Sequence, residues 1–424
     1  MRILFVHPNM PGQYKHVARE LGKKGTHEIL FLTKHKTAEI AGVKRLTYAL
    51  PKRTPTQPHR YLLQAEAGVI QGQHVCRIAL DLRAKGFTPD IVIGHPGWGD
   101  MLFLKDVWPN SPMLSFCEFF YRAEGADVGF DPNEPFTDDD RARVRMKNHT
   151  HLQALAAADA FVAPTWWQWS VHPRAYRPNI QVLHEGIDTA FSQPNTQAVF
   201  TLPNGQSFTR ANKVVTYIAR NFEPYRGFPS FLKAAKLLLA ERSDVEIIAV
   251  GADGVSYGKA PPKGSTYREL LCKELGLENE ARLHFVPTVP YDQLMALFQI
   301  SSAHLYLTYP FVLSWSLMEA MACGAPIVGS RTKPLMEVLS HEQQGLHADF
   351  FSPADIVSQL CRYLDAPEFA QRMGNAARAH MVQHYALADI LPKQLALIEA
   401  VANRASLPLS QPPAAMQPIL WQQP

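Results

Sequence analysis

At 424 residues the chain is two to three times the usual single-domain length, so two domains are expected rather than one core. Hydrophobic residues at 46% and charged residues at 19% describe a globular composition and exclude disordered, collagenous and fibrous classes. A formal net charge of +4 over this length excludes a strong general attraction to nucleic acid, and no nucleic-acid partner is expected.

The chain opens on an apolar run at residues 3–6, read as a strand and too short for the apolar region of a signal peptide, which points to a cytoplasmic protein. Residues 1–60 hold 12 Lys or Arg against 3 acids. This excess is read either as a solvated basic face or as a surface for anionic lipid or a phosphate-bearing acceptor. The second reading implies peripheral contact at the inner face of the cell membrane. Strands are expected next at 28–32, 91–94, 113–116, 160–163 and 180–183. Helices are expected at 13–24, 62–83 and 138–158, the last entered through Thr137 with Asp139 and Asp140 near its start.

The polar segment 188–213, with Pro, Asn-Gly and no sustained period, is the linker candidate. The alternation then restarts, with strands at 214–218, 245–250, 283–286, 303–307 and 326–329 and helices at 228–240, 267–275, 291–299 and 316–323. The uncharged stretch 293–318, interrupted by Pro310, reads as buried core rather than a membrane span. Helical patterns follow at 353–364 and 368–401. The expected fold is α/β, with two doubly wound Rossmann-like domains facing each other across a cleft into which the carboxyl ends of both sheets point. Residues 1–190 form the first domain, 191–212 a linker, 213–385 the second domain, 386–405 a helix returning to the first, and 406–424 a disordered Pro- and Gln-rich tail. Five cysteines without a CxxC pair support neither a disulfide framework nor a zinc site.

Ligand contacts are expected just after the strands. His7 to Gln13 (HPNMPGQ) delivers Gly12 near a helix start, where backbone amides can meet a phosphate; GxGxxG is absent, which argues against a nicotinamide dinucleotide site. His95 lies among glycines in GHPGWGD and is read as a substrate contact or a structural histidine. Glu118 and Arg122 are read as a mutual salt bridge or as polar ligand contacts. Trp166, Trp167 and Trp169 are read as packing, with sugar stacking as the alternative.

In the second half, RNFEPYRG places Arg220 and Arg226 six residues apart with Gly227 just before a helix, a plausible diphosphate clamp that needs no metal ion. Ser314 and Ser316 sit where a helix can begin, and Glu319 is a carboxylate in an apolar helix that two ribose hydroxyls would satisfy.

Over residues 1–395 this pattern resembles the family 4 glycosyltransferases, retaining enzymes of the GT-B fold. EAMACGAPIV from Glu319 matches the helix that ends the family's E-x7-E, Arg220 and Arg226-Gly227 stand where the family has RxxxxxKG, and EGID at 185–188 stands for NGVD. The resemblance implies that Glu319 binds the nucleotide ribose and that Arg220 and Arg226 hold the donor diphosphate. It further implies that Gly12 approaches the donor's phosphate and sugar, and that His95 contacts the transferred sugar and the reaction centre. The first glutamate of E-x7-E falls at Phe311, and Val312 and Ser314 replace the glycines of the usual EGFG loop. HPNMPGQY, FYRAEGADVGFDP and YPFVLSWSLMEAMACG look like a bacterial subgroup associated with surface polysaccharide synthesis.

The expectation is a metal-independent retaining hexosyltransferase that moves sugar from a nucleoside diphosphate sugar, a UDP-sugar before a GDP-sugar, to a glycan or lipid-linked acceptor, with no bound cofactor. Its catalytic residues are His95, Arg220 and Arg226; its donor-binding residues are Gly12, Arg220, Arg226, Ser314, Ser316 and Glu319. The alternatives are a GT-B sugar phosphorylase and, because of Phe311, a non-catalytic glycan-assembly partner.

Overall fold

The computed structural model describes residues 1–50 and 58–421 and divides the chain into two compact units. The first comprises residues 1–186 with the C-terminal segment from Ala388; the second comprises residues 187–387.

Seven strands build the sheet of the first unit: β1 (Arg2–Val6), β2 (Glu28–Thr33), β3 (Lys44–Thr47), β4 (Ile91–Gly94), β5 (Met113–Phe116), β6 (Ala160–Ala163) and β7 (Ile180–Val182). They run parallel in the order β3-β2-β1-β4-β5-β6-β7. Ile3, Leu4, Phe5 and Val6 are all buried, as they must be when both faces of a parallel sheet are covered. Phe5 and Phe31 point to a core shared with Leu21 and with Ile398 of the C-terminal helix Leu387–Ala402, while Leu4 and Val6 face Val75 and Ala79 of the helix Leu63–Ala84. The edge strand β3, Lys-Arg-Leu-Thr, has no buried residue and therefore no apolar run by which to expect it.

The expected helix at 138–158 is two helices, Asp138–Lys147 and His149–Ala157. They part at Asn148, whose side chain accepts from the Tyr121 amide and donates to the Tyr121 carbonyl, each at 2.8 Å. Thr137 caps the first of them in a reciprocal box with Asp140. Thr137→Ala is expected to lower stability by about 1 kcal/mol; an unshifted denaturant midpoint would contradict it.

The second unit begins with a hairpin of β8 (Phe200–Thr201) and β9 (Ser207–Phe208), then a parallel sheet of β10 (Val214–Asn221), β11 (Glu246–Ala252), β12 (Leu283–Val286), β13 (Ala303–Tyr306), β14 (Ile327–Ser330) and β15 (Leu346–Ala348), ordered β12-β11-β10-β13-β14-β15. The expected linker 191–212 is thus structured. Asn204-Gly205 makes the hairpin turn, and Phe200 and Phe208 are buried against Val214, Ile248 and Leu297. The boundary between units falls at 186/187. The helical run 368–401 is broken at Ala386 into Pro367–Tyr385 and Leu387–Ala402.

The expected disordered tail is also corrected. The Ser410 amide donates to the Pro178 carbonyl, the Gln181 side chain donates to the Pro408 carbonyl, and Leu420 is buried in a short helix, Gln417–Trp421. A proline-rich segment lacks amide donors but retains its carbonyls, which is how Pro408 is used here. Residues 422–424 lie outside the described residues. Among the described residues no helix is long and apolar enough to cross a membrane.

Candidate functional site

Each sheet is doubly wound about a point where the strand order reverses, between β1 and β4 in the first unit and between β10 and β13 in the second. At such a point the connections leave in opposite directions and open a crevice beyond the strands' carboxyl ends. The residues that follow these strands were the ones singled out from sequence.

In the second unit β10 ends at Arg220 and Asn221, and a single turn, Pro224–Arg226, carries the chain into the helix Phe228–Glu241. Gly227 makes the turn possible. Its φ is +70°, and a Cβ there would stand 2.4 Å from the Leu307 Cβ at the end of β13. Arg226 is thereby laid on the next strand's end, where its Nη1 donates to the Tyr306 hydroxyl at 3.2 Å, the Thr308 hydroxyl at 2.8 Å and the Val312 carbonyl at 3.2 Å.

The Tyr306 hydroxyl also accepts from the Ser314 amide at 2.9 Å. Ser314 caps the helix Trp315–Ala322, accepts from the Ser316 amide, and lies 2.8 Å from the Ser316 hydroxyl. The structure therefore brings Arg226, Ser314 and Ser316 together through Tyr306, at a helix start whose amides favour an anion. Arg220 is exposed at the strand end and is not part of these contacts. Glu319 lies one helical turn beyond Ser316, half-buried, and accepts from the Tyr291 hydroxyl at 2.5 Å. Tyr291 in turn stacks on Phe191, centroids 5.1 Å apart.

Phe311, where a glutamate was sought, is buried in an aromatic group with Tyr257 at 5.0 Å and Tyr225 at 5.7 Å. Tyr257 lies 5.6 Å from the Arg226 guanidinium. It is placed there by Glu223, a buried carboxylate that accepts from the amides of Ser256, Tyr257 and Gly258. Sequence reasoning missed Tyr306, Tyr257 and Glu223. An acid between two arginines was the available signal for Glu223; the tyrosines carried none.

In the first unit Gly12 has a φ of +53°, and a Cβ there would meet the His7 ring at 2.8 Å. The glycine is thus required by its own fold, where a His7 ring fills the space, and not by a ligand alone. The buried His7 accepts from the Asn9 amide at Nδ1, and burial, with His95 nearby, pushes its pKa down to about 3, so it is neutral. His95 is buried, accepts from the Gly97 amide at Nδ1 (3.0 Å) and meets Glu118 at Nε2 (3.2 Å). Because a backbone amide can only donate, Nδ1 is the acceptor here and Nε2 is the nitrogen that donates to the carboxylate. Gln13 donates to the other Glu118 oxygen at 2.8 Å. Burial acts to raise the Glu118 carboxyl, but the bonds from His95 and Gln13 outweigh it and hold the group below its ordinary range. The expected Glu118–Arg122 bridge is therefore replaced by a Glu118–His95 pair, with Arg122 exposed. Trp167 and Trp169 are buried, as packing requires.

Among the described residues no group of three or more His, Cys, Asp or Glu is placed to hold a metal ion. All five cysteines are free.

Two family models match the chain, one described as "Glycosyl transferase family 4 group" over residues 25–191 and one as "Glycosyl transferases group 1" over residues 204–380. The D-inositol 3-phosphate glycosyltransferase of Streptomyces avermitilis is 26% identical over 299 residues, covering 68% of this chain and 59% of that protein, so the match spans less than two thirds of the relative. Sucrose-phosphate synthase from Thermosynechococcus elongatus is similar in structure with a TM-score of 0.68 at 16% identity, covering 96% of this chain and all of that one. Anabaena HepE in complex with UDP-glucose gives a TM-score of 0.65 at 15% identity, covering 94% of this chain and all of that one.

Proposed function

The chain belongs to the family 4 glycosyltransferases and has their GT-B fold, and from that premise we propose that it transfers a sugar, with retained anomeric configuration, from a nucleoside diphosphate sugar to a glycan or lipid-linked acceptor in bacterial surface polysaccharide synthesis. The observation that carries the reading is Arg226, tied through Tyr306 to the Ser314 helix start at the switch point of the second unit. A guanidinium has five N–H donors in a rigid fork, and three acceptors on Nη1 still leave further N–H groups for diphosphate oxygens. With the helix-start amides, and with Arg220 at the same strand end, it would stabilise the charge that develops as the diphosphate departs, without a metal ion. Glu319 would take ribose hydroxyls, its carboxylate already oriented by Tyr291. That HepE was crystallised with UDP-glucose supports a UDP-sugar as donor.

Phe311 and its aromatic neighbours favour a second reading, a chain that binds the donor without turning it over. A stabilisation panel of UDP, GDP, ADP, NAD and inorganic phosphate against the whole chain tests the first step. One nucleoside diphosphate raising Tm supports the donor site, phosphate alone would move the reading to a phosphorylase, and no response would remove it. Donor binding without turnover on any acceptor would favour the second reading.

A further inference from the structure

Both ring nitrogens of His95 are used inside the first unit, Nδ1 by the Gly97 amide and Nε2 by Glu118, and the side chain is 3% exposed. Two side chains beside it reach solvent, that of Glu118, 28% exposed, and that of Trp98, a residue 39% exposed. They flank the same imidazole. The Trp98 and His95 ring centroids are 4.6 Å apart, and Glu118 meets the Nε2 edge. The neutral His7 ring packs edge-on against Trp98 at 5.1 Å and holds the indole in place.

An exposed aromatic face beside a carboxylate suits a saccharide: the ring takes a C–H face of the sugar, and each carboxylate oxygen, already accepting one N–H, has lone-pair capacity for a hydroxyl. We propose that Glu118 and Trp98, rather than His95, contact the saccharide acceptor, and that His95 is a positioning residue that aims the carboxylate. This rests on the glycosyltransferase reading for the acceptor being a saccharide. The carboxylate acts by orientation and not as a base, because a group held ionised below its ordinary range has little affinity for an alcohol proton. The Glu118 carboxylate is held from within the unit by the side chains of His95 and Gln13.

The test is saturation-transfer NMR on the full chain with millimolar methyl α-D-glucopyranoside, methyl α-D-mannopyranoside, methyl α-D-galactopyranoside and myo-inositol. At least one is expected to receive saturation from the wild type, and to bind about tenfold more weakly to Glu118→Gln and to Trp98→Ala. Trp98 is surface-exposed, so its variant keeps the proposal testable if Glu118→Gln fails to fold. His95→Gln, which retains a donor toward Glu118, is expected to keep binding that His95→Leu loses. No transfer from any of the four, or transfer unchanged in both Glu118→Gln and Trp98→Ala, overturns the proposal, and equal behaviour of the two His95 variants overturns the positioning role. The nucleotide panel on the same proteins reports separately on the donor site in the second unit. Nucleotide binding without saccharide binding therefore overturns this inference alone, and the reverse removes the donor reading alone.

Discussion

Arg226→Ala is expected to lower turnover by at least tenfold while the protein stays folded. A charge-assisted hydrogen bond is worth about 1.5–3 kcal/mol. Losing one such bond, made more strongly to the departing diphosphate than to the bound donor, slows the reaction roughly tenfold to a hundredfold. The structural cost is smaller, because two of the three acceptors that Arg226 leaves behind have other bonds. The Tyr306 hydroxyl keeps the Ser314 amide, and the Thr308 hydroxyl still donates to the Tyr309 carbonyl. Arg226→Lys separates charge from geometry. The family's usual residue at this position is lysine, so a variant that recovers most of the turnover points to charge, and one that does not points to the forked contacts with Tyr306 and Thr308. Turnover of Arg226→Ala equal to wild type, measured with the donor that the nucleotide panel identifies, would remove the diphosphate clamp.

Glu319→Ala is expected to abolish the thermal stabilisation that the preferred nucleoside diphosphate confers on the wild type. A ligand at a hundred times its dissociation constant adds about 2.7 kcal/mol, which moves Tm by several degrees in a chain of this size. Removing the carboxylate leaves the ribose hydroxyls without their acceptor and should shift the nucleotide response to far higher concentration. The change also removes the Tyr291–Glu319 hydrogen bond, so Tyr291→Phe is the control: it breaks the same bond but keeps the carboxylate. If Glu319 serves the ligand, Tyr291→Phe retains the response and Glu319→Ala does not. Equal stabilisation of wild type and Glu319→Ala at one nucleotide concentration sinks the assignment.

Much of the fold was legible before the structure. The interior strands of each sheet are mostly apolar runs, as in β1 and β11, because a parallel strand covered on both faces has little polar surface to show. The strands of the two parallel sheets that escaped, Lys44–Thr47 and Leu346–Ala348, are short edge strands; the first is half-exposed and the second is three residues long. The linker and the tail were misread for one reason: Pro, Asn-Gly and polar composition report local turns, but not whether the segment packs. Phe200 and Phe208, separated by the turn, form an apolar pair only once the hairpin closes.

At the candidate site, sequence alone determined which residue types stand after which strands: Arg226 before Gly227, Ser314 at a helix start, Glu319 one turn on, His95 after the strand Ile91–Gly94. Helix caps, strand periods and turn glycines are set by neighbours within a few residues, so they survive in the linear order. The tertiary structure alone decided the partners. Tyr306 lies 80 residues from Arg226, Tyr257 lies 34 from Glu223, and Glu118 lies 23 from His95. These pairs meet because β10 lies between β11 and β13 and β4 lies beside β5, and strand adjacency in a parallel sheet depends on crossover connections and long-range burial that no local pattern encodes.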